Sequence, residues 1–285
     1  TDNGSTDGTL GILEEFREKG LLYLIQEPED DYAQSEWVSR MARLAYSPYG
    51  ADWVINNDAD EFWWPASGDL KYELERVPEG INVVSVTRHN FVNVLERSGR
   101  WVEDMIFRET DSMNSEGNPL PPKVCHRALP NIKVSQGNHA VEFPTGLTLW
   151  HGSSIEILHF PIRSYGQFAN KIAKGGAAYA RSSRPSAQGK GETWRRLYEK
   201  WRAGQLYLYF KEEGWDADRI AEGIKVGVVV KDSRLKELFG YGAFRHQSDL
   251  IYRIESKTRT GITPSTLERL DRHSTDSHPD EIFVV

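Results

Sequence analysis

Leu10, Leu13 and Phe16 fall on one stripe, so their spacing predicts an amphipathic helix over residues 7–19, capped by Ser5 or Thr6 and ended by Gly20. The run LLYLI at 21–25 is short and apolar, and the polar QEPED that follows suits a buried strand. Trp37, Met41 and Leu44 keep helical spacing within 33–46. DWVINND predicts a strand over 52–56 running into Asp58, Asp60 and Glu61, and INVVSVTRH predicts another over 81–89. This alternation predicts an α/β domain with a mainly parallel sheet, whose ligands lie beyond the carboxyl ends of the strands.

Between 96 and 122 the periodicity fades into a polar loop containing DSMNSEGNPLPP, long enough for a flap or lid. KVCHR, IKVSQ, LTLW and IEILHF then read as short strands of an antiparallel addition. From Ser164 helical patterns dominate, interrupted by a Gly/Ser-rich stretch at 180–191. The expected organisation is an α/β domain over 1–163 and a helical extension over 164–285, ending in a polar tail after Thr263.

Hydrophobic residues at 39% and aromatics at 11% exclude a disordered chain. A net charge of −7 gives no general attraction to nucleic acid or an anionic membrane. The single cysteine, Cys125, excludes an intrachain disulfide and suits a reducing compartment. No apolar run reaches the roughly 18 residues of a spanning helix. A cytoplasmic setting is expected, with contact at the membrane periphery left open.

The stretch NNDADEFWWP at 56–65 carries the most chemistry. Asp58 and Asp60, two apart at the end of a strand, send their carboxylates the same way and suit a hard cation such as Mn²⁺ or Mg²⁺. Such an ion keeps positions open for water and phosphate, which makes a diphosphate ligand its natural companion. A solvated acidic turn is the competing reading. Phe62, Trp63 and Trp64 directly after the acids argue for a packed wall or a sugar-binding platform beside them. The opening TDNGSTDGT is a second acidic turn, of a kind that normally follows a strand, and a strand ahead of Thr1 is therefore expected.

DNGSTDGT followed by DADEF resembles the family 2 glycosyltransferases and their relatives with a GT-A fold, over about residues 1–174. The resemblance implies a GT-A (Rossmann-like) mixed sheet flanked by helices, apparently lacking its first strand. It also implies a UDP- or GDP-sugar donor and a glycan, lipid-linked or protein acceptor. Asp2 would contact the base or ribose, Asp7 would support the turn or cap the helix, and Asp58 would approach ribose or metal. Asp60 would be the direct metal ligand. His159 would complete the metal shell, against a hydrogen-bonded core role. Arg163 and Lys171 would neutralise the departing diphosphate, against surface salt bridges, and Ser164 would cap their helix.

Inversion at the anomeric carbon needs a general base, for which Asp104 in WVEDMIF is the candidate. The family's Q-x-x-R-W does not follow it. His139 and His151 are candidates for the acceptor side, and no zinc spacing is present. A sugar-nucleotide nucleotidyltransferase and a non-catalytic glycan-binding module are the alternatives.

Overall fold

The computed structural model describes residues 1–28, 33–97, 99–114, 117–144, 146–181 and 191–240, and the backbone of 282–284. The strands in chain order are β1 (Trp53–Ile55), β2 (Glu61–Pro65), β3 (Val83–Asn90), β4 (Phe107–Glu109), β5 (Lys123–Arg127), β6 (Lys133–Val134), β7 (Val141–Glu142), β8 (Leu149–Trp150), β9 (Ile155–His159), β10 (Val229–Lys231) and β11 (Ile282–Val284). The helices are α1 (Thr9–Glu18), α2 (Gln34–Tyr46), α3 (Leu70–Glu75), α4 (Trp101–Asp104), α5 (Tyr165–Arg181), α6 (Glu192–Arg202), α7 (Leu206–Glu212), α8 (Ala217–Lys225) and α9 (Arg234–Gly240).

The main sheet is mixed, in the order β11-β1-β5-β3-β9-β2, with β8 also on β3. β1 and β3 are each antiparallel to β5 between them, β9 and β8 run parallel to β3, and β2 is antiparallel to β9. The expected mainly parallel sheet is therefore corrected: β5 and β2 run against the rest. KVCHR and IEILHF form no separate antiparallel addition but sit within this sheet, because their alternating apolar residues are buried on both of its faces.

Alternation decides what each face packs. Val54, Val83 and Val124 face α2 through Val38 and Ala42. Trp53, Ile55, Val84, Val86 and Cys125 face the opposite way, toward Leu74 of α3. Helices on both faces of a mixed sheet make this an α/β fold.

EFWWP is a strand, so the competing reading of Asp58 to Glu61 as a solvated acidic turn does not extend to Glu61, which is buried. Phe62 and Trp64 pack with Phe91, Phe160 and Trp101, whereas Trp63 joins the α3 side. The packed-wall expectation for these aromatics holds. The LLYLI strand does not form a ladder among the described residues: one parallel bridge joins Asp2 and Gln26, through Asp2 N–H to Ile25 O and Glu27 N–H to Asp2 O. α1 buries no residue and has no side-chain cap from Ser5 or Thr6; Asp7 Oδ1 accepts Thr9 N–H at 3.0 Å instead.

The loop expected over 96–122 contains α4 and β4, and β4 pairs antiparallel with β10 from the extension. Val92 and Val94 pack there with Ile220 and Val229. Within the extension α5 lies close on α6: a Cβ on Gly176 would stand 2.4 Å from Tyr198 Cβ. The helical pattern after 191 is not continuous: Gly204, at φ +70°, separates α6 from α7. Most of the Gly/Ser-rich stretch, 182–190, lies outside the described residues, and so does the tail after Thr263 apart from the backbone of β11.

Candidate functional site

Strand direction gathers the polar residues at one end of the sheet. β1, β3 and β9 point their carboxyl ends there, presenting Asn56 to Asp60, Asn90 and His159. The reversed strands β5 and β2 begin at that same end with Lys123 and Glu61. Register fixes the detail, since Glu61 and Asn90 flank His159 as cross-strand partners on either side. This is where a ligand binds in open α/β sheets.

Asp58 is held firmly. Its Oδ1 accepts from Gln34 Nε2 and Asn138 Nδ2, both at 3.1 Å, and its Oδ2 accepts from Lys123 Nζ. Lys123 is 1% exposed and also lies 3.3 Å from Glu61 Oε1, where Arg88 Nη1 approaches at 3.2 Å. Burial pushes the Glu61 carboxyl above its usual range, although Lys123 opposes this, and its Oε2 has no hydrogen-bond partner. Asn138 holds a left-handed φ of 59° to reach Asp58, a conformation asparagine tolerates better than most residues.

Asp60 has different neighbours. Its Oδ2 accepts from Lys171 Nζ at 2.5 Å and stands 3.9 Å from His159 Nε2. Its backbone carbonyl accepts Phe160 N–H at 2.8 Å, which ties the acid to the end of β9. Burial works against its ionisation, but the surrounding charges and hydrogen bond, from Lys171 first and with His159 and Arg163, together outweigh it and hold the carboxyl below the usual range.

Hydrogen bonds settle the protonation of His159. Asn90 Nδ2 donates to Glu109 Oε2 and Met113 O, so the other side of the amide, Oδ1, faces His159 Nδ1 at 2.7 Å. Nδ1 must therefore carry the hydrogen. Burial lowers the His159 pKa to about 3, so the ring is neutral and Nε2 turns a lone pair toward Asp60. Two acceptors face each other with no hydrogen between them, an arrangement that favours a cation.

The opening turn reaches the same region. Lys174 Nζ, one helical turn beyond Lys171 on α5, donates to Thr6 Oγ1 at 3.1 Å. Asp2 is buried, and its Oδ2 accepts Ser5 N–H at 3.2 Å, so it shapes the turn. Asp7 is exposed, and its contact with Thr9 holds its carboxyl below the usual range. This fits its helix-capping reading.

Arg163 lies with its guanidinium over the Trp101 ring at 5.6 Å, and its charge is felt at Asp60. Ser164 Oγ accepts Gln167 N–H and caps α5 as expected. Asp104 ends α4, where its carboxylate accepts Gly99 N–H at 3.4 Å and interacts with Arg97. His139 borders Lys123 and Asp58 and donates from Nδ1 to Pro122 O at 2.9 Å, whereas His151 is exposed. Asp58 and Asp60 thus hold separate partners, and among the described residues no three His, Cys, Asp or Glu side chains converge as a metal shell.

Sequence reading missed Lys123, Arg88, Gln34, Asn90 and Asn138. A signal existed for two of them. Lys123 shares a strand face with Cys125, and Arg88 shares one with Val84 and Val86, so each places a cation on an apolar face where a buried acid has to answer it. No family model, curated protein or solved structure matches this chain. Among the described residues no helix is long and apolar enough to cross a membrane.

Behind the site, His126 on β5 is fully buried, with Nδ1 on Arg127 O and Nε2 unpartnered. Burial lowers its pKa to about 4 from the ordinary 6.5. The folded state then resists a proton that the unfolded chain accepts. Stability is full above pH 6.5 and is lost as pH falls toward 4, by about 3 kcal/mol from this residue. Urea titrations at pH 7, 5.5 and 4 should show a shallower loss for His126→Leu than for the parent protein. Parallel pH profiles would refute the assignment.

Proposed function

We propose that this chain is a metal-dependent glycosyltransferase of the GT-A type, moving a sugar from a UDP- or GDP-sugar to an acceptor hydroxyl with inversion. The observation that carries this reading is the lone pair of His159 Nε2 facing Asp60 at the carboxyl end of the sheet. Two protein donors suit Mn²⁺ or Mg²⁺, whose remaining positions go to water and phosphate oxygens. The imidazole nitrogen favours Mn²⁺, because Mg²⁺ prefers an all-oxygen shell. A metal bound there would supply Lewis-acid stabilisation of the leaving diphosphate.

The chain's own residues serve the same end. Lys171 and Arg163 place positive charge beside Asp60, where negative charge accumulates on a departing nucleoside diphosphate. The turn at 1–7, joined to α5 through Thr6 and Lys174, supplies the wall expected to receive the nucleotide. Asp58 anchors the acidic turn and is the weaker candidate for direct metal contact, since both its oxygens have donors. The contacts of Asp104 lend no support of their own to its role as base.

Incubation of the full chain with a panel of UDP- and GDP-sugars plus Mn²⁺ should release nucleoside diphosphate, faster when an acceptor is present. Pyrophosphate release from a nucleoside triphosphate and a sugar phosphate would mark a nucleotidyltransferase instead. Silence from every donor, with and without acceptors, would count against the glycosyltransferase, and absence of pyrophosphate release against the nucleotidyltransferase.

A further inference from the structure

We propose that Lys171 occupies the cation position of Asp60, and that it must leave before a divalent ion can bind. Metal and a diphosphate then enter the site cooperatively. The inference rests on the reading of Asp60 and His159 as metal donors.

The geometry sets up a competition. Lys171 Nζ lies 2.5 Å from the same Oδ2 that faces His159 Nε2 at 3.9 Å. An ammonium and a divalent ion cannot share that oxygen without strong like-charge repulsion in a half-dry site, where charges interact more strongly than in water. The Asp60 side chain is 12% exposed, so it gives up its closest counter-charge among the described residues at high cost. Lys171 is less confined. Its side chain is 32% exposed and sits 5.8 Å from the Trp194 ring, so the ammonium has solvent and an aromatic face to move toward.

The place of Lys171 on α5 suggests what draws it away. Lys174, one turn on, already touches the turn at 1–7, so this side of α5 presents cations to the region between that turn and Asp60. A diphosphate in that region offers the ammonium a stronger partner than one carboxylate and frees Asp60 for the metal. Binding linkage makes the effect reciprocal: whatever factor a diphosphate adds to metal affinity, the metal adds to diphosphate affinity. Lys171 thereby keeps the metal position closed until the phosphates arrive.

The test is Mn²⁺ binding to the full chain without nucleotide, read by the electron paramagnetic resonance of free Mn²⁺. Lys171→Met should bind Mn²⁺ roughly tenfold or more tightly than the parent protein, and Lys171→Arg should stay as weak as the parent. Lys171→Gln, which keeps a donor to Asp60, makes the same comparison should the methionine variant fold poorly. Equal or weaker binding in both neutral variants, with that binding abolished by Asp60→Ala, overturns the competition and leaves the metal site standing. No saturable Mn²⁺ binding in any variant removes the metal site and the competition together.

Discussion

Replacing Asp60 with alanine is expected to lower Mn²⁺-dependent donor turnover, the activity proposed above, by about 10³-fold or more, while the protein stays folded. The size follows from what the proposed role would lose: the carboxylate that faces His159 and, with it, metal stabilisation of a leaving diphosphate, worth several kcal/mol at roughly 1.4 kcal/mol per tenfold. The fold survives for a different reason. Lys171, the closest partner of Asp60, is a third exposed, so its ammonium is rehydrated when the acid is removed and the exchange costs only about 1 kcal/mol. The backbone link from Asp60 O to Phe160 N–H is indifferent to the side chain. Turnover assays with the best donor of the panel, alongside a circular dichroism melt, check both halves. Unchanged Mn²⁺-dependent donor binding in a folded variant would remove Asp60 from the metal site.

Much of the scaffold was legible because it is written in short-range pattern. β1, β3, β5 and β9 correspond to apolar or alternating runs of three to eight residues, and α5 to α9 to helical spacing, although the break between α6 and α7 at Gly204 was not marked by it. What was not legible is pairing. Nothing in VVVK at 228–231 or FRE at 107–109 says that they meet, because the partners on β10 and β4 lie 120 to 124 residues apart. Strand direction was misjudged likewise: a buried apolar run reads the same whichever way its neighbour runs, and only the fold shows that β5 is reversed.

The candidate site divides along the same line. Asp58, Asp60 and His159 were found from local motifs and the resemblance they carry, and the structure places them at one end of the sheet. Their partners were not found, because Lys123 on β5, Arg88 and Asn90 on β3, Gln34 on α2 and Asn138 come from four separate segments that only the topology joins. Those partners separate the two acids. Asp58, bound on both oxygens by buried or half-buried donors, fits a framework role; Asp60, with a third-exposed ammonium and one lone pair before it, is the acid to which the proposed function assigns the chemistry.

That division predicts the largest loss of stability at Lys123, a residue with no expected contact to donor or metal. Lys123→Met fills the space with an apolar chain but removes the ammonium shared by Asp58 and Glu61. Asp58 keeps Gln34 and Asn138, whereas the Glu61 side chain is fully buried and keeps only the Arg88 contact on Oε1. An uncompensated buried carboxylate should cost about 3–5 kcal/mol at pH 7. The pH dependence identifies the cause. Glu61 already has a folded-state pKa above its ordinary 4.5, through burial, and loss of Lys123 raises it further. The penalty is therefore absent below about pH 4.5 and grows as pH rises through the raised value. Urea unfolding should find the variant nearest to the parent protein at pH 5 and furthest at pH 7, and adding Glu61→Gln should recover most of the difference at pH 7. A loss that does not change with pH, or that Glu61→Gln leaves in place, would assign Lys123 to packing rather than to the charge of the acidic turn.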